Sequence, residues 1–174
     1  MSRILDADEM AEGVARLAER IRSGTAGASF ALIGIRSRGD EVAERVRALL
    51  SEQGVETQFG VLDISLYRDD FEHLHENPKL QGSEIEFPLE GAHLVLVDDV
   101  LFTGRTIRAA LDALSDYGRP AKVELAVLID RGHRELPIEP KYVGIELETA
   151  RRDHVYVSLA KTDGEDRIEI KDAS

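Results

Sequence analysis

The stretch LVLVDDVLFTGRT, residues 94–106, decides how this chain is interpreted. Its first four residues are an unbroken apolar run, which is typical of a strand buried on both faces of a parallel sheet. Asp98 and Asp99 follow at the exposed end of that strand, and the turn 103–106 then opens a helix. Amides at a helix N-terminus, two threonine hydroxyls and a glycine that lets the backbone come close form a site for phosphate.

The paired acids add a second chemical function to this turn. Two adjacent carboxylates suit the two hydroxyls of a ribose or a hydrated magnesium ion. Together with the phosphate-binding turn, they predict a site for a sugar phosphate that carries further phosphate nearby. The alternative is that these acids and the Thr-Gly pair provide only solvated turn and helix-cap chemistry.

Strands alternate with helices on both sides of this stretch. On the N-terminal side, apolar spacing predicts a helix over about residues 7–22, a strand at 30–33, a helical stripe at 42–50 and a strand at 57–66. On the C-terminal side it predicts a helical stripe at 107–114, a strand at 123–129, and alternating segments at 155–159 and 168–170 joined by a hairpin turn at 163–164. The order predicts one α/β domain over residues 1–174, with a largely parallel central sheet flanked by helices and antiparallel C-terminal strands.

Ligands bind at the carboxyl ends of the strands in such sheets. The turns after Ile33, Val97 and Ile129 are therefore expected to meet at one site. A polar stretch from Arg68 to about Glu86 has no apolar periodicity, and connections of this length are usually functional.

Composition limits the class of protein. Of the 174 residues, 43% are apolar and 32% are charged, which favours a globular domain over a disordered chain. The longest uncharged stretch, residues 23–35, is shorter than the roughly 20 apolar residues that span a membrane. The first residues lack a secretory signal and cysteine is absent, so we expect a cytoplasmic protein without disulfides, thiolate metal sites or a cysteine nucleophile.

The net charge weighs against an extended nucleic-acid surface. Lys and Arg number 22 against 34 Asp and Glu, which gives −12. Residues 1–99 carry 10 basic and 20 acidic side chains, which gives a net charge of −10. Residues 100–174 carry 12 basic and 14 acidic side chains, which gives −2. Because phosphate backbones are bound through basic patches, any positive surface is expected in the C-terminal part.

The segment 94–106 resembles the diphosphosugar-binding signature of type I phosphoribosyltransferases. Segments 34–39, 63–70 and 128–138 are similar to the PyrR family, whose members regulate pyrimidine operons and act as uracil phosphoribosyltransferases. The chain has neither the GxxxxGK[ST] loop of nucleotidases nor a GxGxxG turn after a strand. The resemblance implies a type I phosphoribosyltransferase fold, the ligands 5-phosphoribosyl diphosphate (PRPP), uracil and UMP, Mg²⁺ that arrives with the diphosphate, and a homodimer or larger homo-oligomer.

The resemblance also implies roles for particular residues. Asp98, Asp99 and Arg38 are the candidate catalytic residues: the acids would hold ribose hydroxyls near Mg²⁺, and Arg38 with Ser37 would hold pyrophosphate. An ordinary loop with a solvated arginine is the alternative for the second group. The implied nucleotide-binding set is Ser37, Arg38, Asp98, Asp99, Val100, Leu101, Phe102, Thr103, Gly104, Arg105 and Thr106.

The base is expected beside Phe102, Ile129 and Asp130. Purine phosphoribosyltransferases typically have an aspartate at the position of Phe102, and phenylalanine cannot hydrogen-bond an imidazole nitrogen, so a pyrimidine is favoured. The family usually has tyrosine there. Core packing by Phe102 and turn capping by Asp130 are the alternatives.

A flexible loop over the site is implied by Tyr67, Arg68, Asp69 and Asp70, with an ordinary solvated loop as the alternative. Such a cover would exclude water from the reaction. His73 and His75 in the same stretch suggest a metal pair by spacing alone, but Mg²⁺ bound with the diphosphate is the better-supported metal.

The second function implied by the resemblance is UMP-dependent binding of a leader RNA, which promotes transcription attenuation. Arg131, His133 and Arg134 are the candidate RNA contacts, with a solvated turn or an ion pair to Glu135 as alternatives. The chain departs from the family at three positions where cationic or polar residues are expected: Glu19, Glu139 and Ile145. Since acids repel phosphate, we predict weak or no RNA binding at physiological salt.

Overall fold

The structure is a computed structural model that describes residues 2–68 and 82–173. Within these two ranges the chain forms eight strands and four α helices. In chain order they are β1 Ser2–Leu5, α1 Ala7–Gly24, β2 Ala31–Arg36, α2 Gly39–Glu52, β3 Gln58–Asp63, β4 His93–Leu101, α3 Arg105–Leu114, β5 Lys122–Asp130, β6 Tyr142–Glu146, β7 His154–Ser158, α4 Ala160–Asp163 and β8 Arg167–Lys171. A 3₁₀ turn, Ser65–Tyr67, follows β3.

The central sheet has five parallel strands in the order β3-β2-β4-β5-β6. The predicted parallel sheet is therefore confirmed. Gly34 of β2 lies opposite Val97 of β4, and Val100 of β4 lies opposite Ile129 of β5. This register brings the ends of β2, β4 and β5 to the same edge of the sheet.

Helices cover both faces of this sheet and form two cores. On one face α1 and α2 bury large side chains, with Met10, Leu17 and Ile21 fully enclosed. On the other face α3 buries its apolar stripe, Ile107, Ala110 and Leu114 among it. Each enclosed large aliphatic side chain contributes about 1.5–3 kcal/mol, so the two cores fix the sheet edge on which the site lies.

A second sheet lies outside the central one. Its three antiparallel strands have the order β1-β8-β7. The predicted antiparallel C-terminal strands are confirmed, but β7 and β8 are joined by the single turn of α4 and not by a tight hairpin. Gly164 ends α4 with φ +88°, a left-handed conformation that glycine adopts without penalty.

Two strand ends differ from the sequence predictions, and two strands were not predicted. The strand predicted to reach residue 66 ends at Asp63, because the chain then turns into the 3₁₀ segment. The strand of the signature continues beyond Val97 to Leu101. The strands β1 and β6 were not predicted: β1 has one buried residue in four, so it shows no apolar pattern.

No helix within residues 2–68 and 82–173 combines the length and the apolar character needed to span a membrane.

Candidate functional site

A polar cleft of about 460 Å³ opens at the carboxyl ends of β2, β3 and β4. Its walls come from the turns after these strands and from the start of α3. The lining residues are Ile35, Arg36, Ser37, Arg38, Asp63, Ile64, Ser65, Arg68, Asp98, Asp99, Val100 and Thr106. The turns after β2 and β4 therefore meet in one site, as the topology predicts, whereas no residue of the turn after β5 lines this cleft.

Asp98 and Asp99 lie side by side in the last part of β4. Asp99 N donates to Asp98 Oδ1 (2.9 Å), and Val100 N donates to Asp99 Oδ1 (2.7 Å). Gly39 at the start of α2 allows this arrangement: a Cβ at that position would lie 2.7 Å from the carbonyl oxygen of Val97 and 3.0 Å from Asp98 Oδ1. The absence of a side chain lets the helix approach the carboxylate.

Burial shifts the titration of both acids. Burial raises the pKa of Asp98 well above its ordinary value, and the charge of Asp99 raises it further. The pKa of Asp99 is also raised by burial. Within the two described ranges neither carboxylate is in a salt bridge with lysine or arginine. One buried and one partly buried carboxylate, neither in a salt bridge with lysine or arginine, suit ligands that supply hydroxyl groups or a hard cation.

The loop before α2 forms the neighbouring wall of the cleft. The Arg36–Ser37 peptide bond is cis, and Arg38 has φ +76°, a left-handed conformation that non-glycine residues rarely adopt. Arg38 Nε and Nη2 donate to Asp163 Oδ2 and Oδ1, at 3.1 and 2.8 Å. The predicted pyrophosphate-binding arginine thus lines the cleft while it pairs with α4.

The turn from β4 into α3 has the form of a phosphate-binding turn. Gly104 precedes the helix with φ +94°, and a Cβ there would lie 3.1 Å from Ile138. Thr103 Oγ1 accepts from Arg105 N at 3.3 Å, and Thr106 lines the cleft. The first amides of α3 have no partner within the helix, so they can bind an anion.

Phe102 is half-buried in this turn and packs on a cation. The Arg131 guanidinium lies 3.9 Å from the centre of its ring, and the His133 ring meets it edge-on at 6.3 Å. Arg131 is buried, with Nη1 and Nη2 donating to the carbonyl oxygens of Asp153 and Ala150 at 2.8 and 3.0 Å. Burial lowers the pKa of Arg131.

The other predicted base and RNA residues also make contacts within the chain. Ile129 is fully buried, and Asp130 Oδ2 accepts from Arg134 Nη2 at 2.7 Å. Arg134 also donates to the carbonyl oxygens of Ile138 and Phe102 at 2.9 and 3.1 Å. His133 Nε2 lies 2.6 Å from the carbonyl oxygen of Thr149. The alternative for these residues was an ion pair with Glu135. Glu135 instead pairs with Arg105 and Arg151.

The three positions that depart from the family lie on or near α1 and β6. Glu19 pairs with Arg22 on the exposed face of α1. Ile145 packs its side chain against Gly13 of the same helix. Glu139 is mostly exposed and lies 3.8 Å from Arg134 Nε.

Asp63 ties together the two chain segments that flank residues 69–81. Its carboxylate accepts from Ser65 N (3.0 Å) and Gly82 N (2.9 Å), while its own amide donates to Ser83 Oγ (2.8 Å). Tyr67 and Arg68 of the predicted flexible loop lie at this junction, and Arg68 lines the cleft. Asp69, Asp70, His73 and His75 lie outside the described residues.

Sequence reasoning assigned no role to four residues that the structure places at the cleft or on its arginine: Arg36, Asp63, Ser65 and Asp163. The first three lie in quoted family segments, so their position after a strand was an available signal. Asp163 is far along the chain and was interpreted as hairpin chemistry, and no local pattern points to its contact with Arg38.

The fold and the cleft define a phosphoribosyltransferase. The phosphoribosyl transferase domain family matches residues 1–161. The fold is also similar to solved purine enzymes: the hypoxanthine-guanine phosphoribosyltransferase of Leishmania tarentolae in complex with GMP has a TM-score of 0.71 at 17% identity, covering 99% of this chain and 97% of that one. The Trypanosoma cruzi hypoxanthine enzyme has a TM-score of 0.70 at 19% identity, covering 98% and 91%. At these identities the likeness shows the fold alone.

Closer relatives specify the family. The protein named bifunctional protein PyrR from Deinococcus deserti is 51% identical over 97% of this chain and 93% of its own length. That of Thermus aquaticus is 48% identical over 96% and 93%. The chain belongs to the PyrR family, which combines uracil phosphoribosyltransferase activity with a regulatory function. The predicted family, fold and enzyme class are confirmed.

Proposed function

We propose that this chain transfers the phosphoribosyl group of PRPP to uracil, forming UMP and pyrophosphate, with the residues of the cleft in the roles given below. The observation that carries the proposal is that two adjacent acids, the buried Asp98 and the partly buried Asp99, line one polar cleft together with Arg36 and Arg38. Carboxylates and guanidinium groups lining the same cleft suit a ligand with hydroxyls at one end and phosphates at the other.

The 5′-phosphate is assigned to the start of α3. Gly104 gives the turn its left-handed backbone and lets it pack closely against Ile138, and the amides at the N-terminus of α3 supply donors and a favourable dipole. Thr103 and Thr106 add hydroxyl groups. The ribose then lies between this turn and the acids of β4.

Asp98 and Asp99 would hold the ribose hydroxyls and a magnesium ion that arrives with the diphosphate. Phosphoribosyltransferases generally use Mg²⁺ with PRPP. The donor set fits such an ion, because two carboxylates present hard oxygen ligands and leave positions for substrate oxygens and water. When bound, Mg²⁺ neutralises charge on the diphosphate and makes it a better leaving group.

Most of the work of the protein is electrostatic and positional. The bond between the anomeric carbon and the diphosphate breaks, the bonding pair leaves with pyrophosphate, and uracil N1 forms the new bond and releases its proton. Positive charge that develops on the ribosyl group is stabilised by Asp98 and Asp99, and the departing pyrophosphate by Arg38 and Ser37.

The base is assigned to the region beside Phe102. The Arg131 guanidinium covers one face of the Phe102 ring and holds the ring in place. The base is assigned to the rest of the ring surface. Ile129 is fully buried in the core, so only its backbone groups are assigned to the base. Asp130 is held by Arg134 and by Gly132 N, so it orders the turn around the base.

Replacement of both acids tests the assignment. The double variant Asp98→Asn, Asp99→Asn is expected to lose uracil-dependent pyrophosphate release by at least about a hundredfold, because the charge that stabilises the ribosyl cation is removed. The matched control is Asp112→Asn with Glu165→Gln, which neutralises two exposed acids away from the cleft. Full activity of the Asp98, Asp99 variant would contradict the proposal.

A second function, UMP-dependent binding of leader RNA, is supported by family membership. The contacts of this chain weigh against strong binding, since Arg131 and Arg134 are engaged by carbonyl and carboxylate oxygens and Glu19 places an acid on α1. We expect weak binding at about 0.15 M salt, where charges beyond roughly 8 Å are screened.

A gel-shift assay with UMP and the leader RNA of the organism's own pyrimidine operon measures this binding. Glu19→His is expected to strengthen it, because an acid facing phosphate is replaced by a neutral or cationic ring. Tight, sequence-selective binding by the unmodified chain would contradict the expectation of weak binding while leaving the enzymatic assignment intact.

A further inference from the structure

We propose that Asp163 is a positioning residue for the diphosphate of PRPP. It holds the Arg38 guanidinium by one edge and leaves the other edge for the substrate. The inference rests on the proposed function, because it assigns the diphosphate to Arg38. Asp163 lies in α4, outside the central sheet and 125 positions after Arg38 in the chain.

The contact between the two side chains has the geometry of a fork. Nε and Nη2 of Arg38 donate to the two different carboxylate oxygens of Asp163, at 3.1 and 2.8 Å. The two side chains are 38% and 21% exposed. Because two parallel bonds fix the plane of a guanidinium group as well as its position, Asp163 determines which direction Arg38 presents to the cleft.

One part of the guanidinium stays available. Among the described residues, Arg38 Nη1 has no hydrogen-bond partner, and Arg38 lines the cleft together with Ser37 and Thr106. The edge between Nη1 and Nη2 can therefore donate to phosphate oxygens while the Nε edge remains on Asp163. An arginine has five N–H groups, so two bonds to a carboxylate do not exhaust it.

Asp163 is itself held firmly. Leu159 N donates to Asp163 Oδ2 at 2.9 Å. The turn of α4 is attached to α2 through buried Glu41, which accepts from Thr162 N and Thr162 Oγ1, each at 2.9 Å. Arg45 of α2 adds two bonds to Asp166, at 2.9 and 2.7 Å. A carboxylate seated in this way acts as a fixed support for Arg38.

The opposite role would be competition, in which Asp163 occupies Arg38 and must be displaced by the substrate. The open Nη1 group favours support over competition. The two roles also predict opposite signs: removal of the Asp163 charge weakens diphosphate binding in the first case and strengthens it in the second.

The test uses the full chain and two readouts, steady-state kinetics and calorimetric binding of magnesium pyrophosphate. For Asp163→Asn we expect the KM for PRPP and the Kd for pyrophosphate to rise about tenfold, with kcat within about twofold, as for loss of one charge-assisted contact. UMP binding is expected to stay unchanged, because UMP has no diphosphate. A wild type that binds pyrophosphate but forms no UMP would refute the proposed function alone.

Three further variants make the outcome decisive. Glu165→Gln removes the same charge from an exposed neighbour that forms no salt bridge in the described part of the chain, and is expected to match the wild type. Arg38→Lys keeps the charge but loses the fork, and is expected to raise the KM for PRPP even with Asp163 present. In an Arg38→Met background, Asp163→Asn is expected to have no additional effect.

The proposal is overturned if Asp163→Asn tightens pyrophosphate binding, behaves as Glu165→Gln does, or retains its effect without Arg38. If Asp163→Asn does not fold, the Arg38→Lys variant still decides, since unchanged diphosphate binding there would show that the fork is not needed.

Discussion

One wall of the cleft is made of residues that follow one another in the chain, whereas the other depends on a contact across 125 positions. Asp98, Asp99 and the phosphate turn all lie within residues 98–106, where a buried strand passes into α3. Arg38 stands in the loop before α2 and receives its orientation from Asp163 in α4.

The difference shows two ways of placing charge at a site. The acidic wall is held by its own strand, which pairs with β2 up to Val97 and with β5 as far as Leu101. The basic wall is rigid only as long as α4 stays attached to α2. We therefore expect changes in the first wall to affect folding and chemistry, and changes in the second to affect mainly ligand affinity.

Gly39→Ala should have the largest effect on stability, because its methyl group would collide with the backbone that carries Asp98. The added methyl group would lie 2.7 Å from the Val97 carbonyl oxygen, so the backbone must shift, and we expect a loss of about 2–3 kcal/mol in urea unfolding. Gly27→Ala is the control: it meets open space and is penalised only for its left-handed backbone, by about 1 kcal/mol. Equal losses for the two variants would argue against the close approach of α2 to β4.

Asp98→Asn separates chemistry from stability within the same wall. We expect pyrophosphate release to fall about a hundredfold while the free protein gains about 1 kcal/mol near neutral pH, because a buried, unpaired charge is removed. The pKa of Asp98 is raised in the folded state, so the folded protein binds the proton more tightly and its stability falls as pH rises.

It follows that the wild type should regain stability relative to Asp98→Asn as the pH is lowered toward that raised pKa. Urea unfolding of both proteins at a series of pH values measures the difference. A difference that does not change with pH would contradict the shifted titration.

Asp166→Asn tests the support of the basic wall and should have the smallest effect. It removes the charge from the contact and replaces one of the two acceptors of Arg45 by an NH2 donor, and we expect a loss of about 1 kcal/mol with a modest rise in the KM for PRPP. The bond from Arg45 lowers the pKa of Asp166, so this contribution is present above the ordinary aspartate pKa and lost as pH falls through the lowered one. A stability difference that persists at low pH would contradict this account.

The acidic wall was accessible to sequence analysis. A buried apolar run, two acids and a Thr-Gly turn stand in one stretch of thirteen residues, so their common location follows from local geometry. The parallel sheet was predictable for the same reason, since continuous apolar runs at 94–97 and 123–129 mark strands buried on both faces.

The basic wall was accessible only in part. Arg38 was predicted from its place between a strand and a helix, but its partner depends on how a second sheet packs beside α2. The exposed strand β1 has no apolar alternation, and β6 is a short strand at the edge of the sheet. Arg131 shows the same limit, because its burial under Phe102 results from carbonyl groups of residues 150–153 that no local pattern connects to it.

The contacts of Asp63 have a consequence for protein engineering. Its carboxylate accepts from amides on both sides of residues 69–81, so the two flanking segments meet at one point of the scaffold. A replacement segment therefore needs only to join two points that lie close together. Each doubling of its length costs only about 0.6 kcal/mol of closure entropy. This junction is therefore a suitable place to exchange residues 69–81 between relatives, or to introduce a reporter peptide next to the cleft.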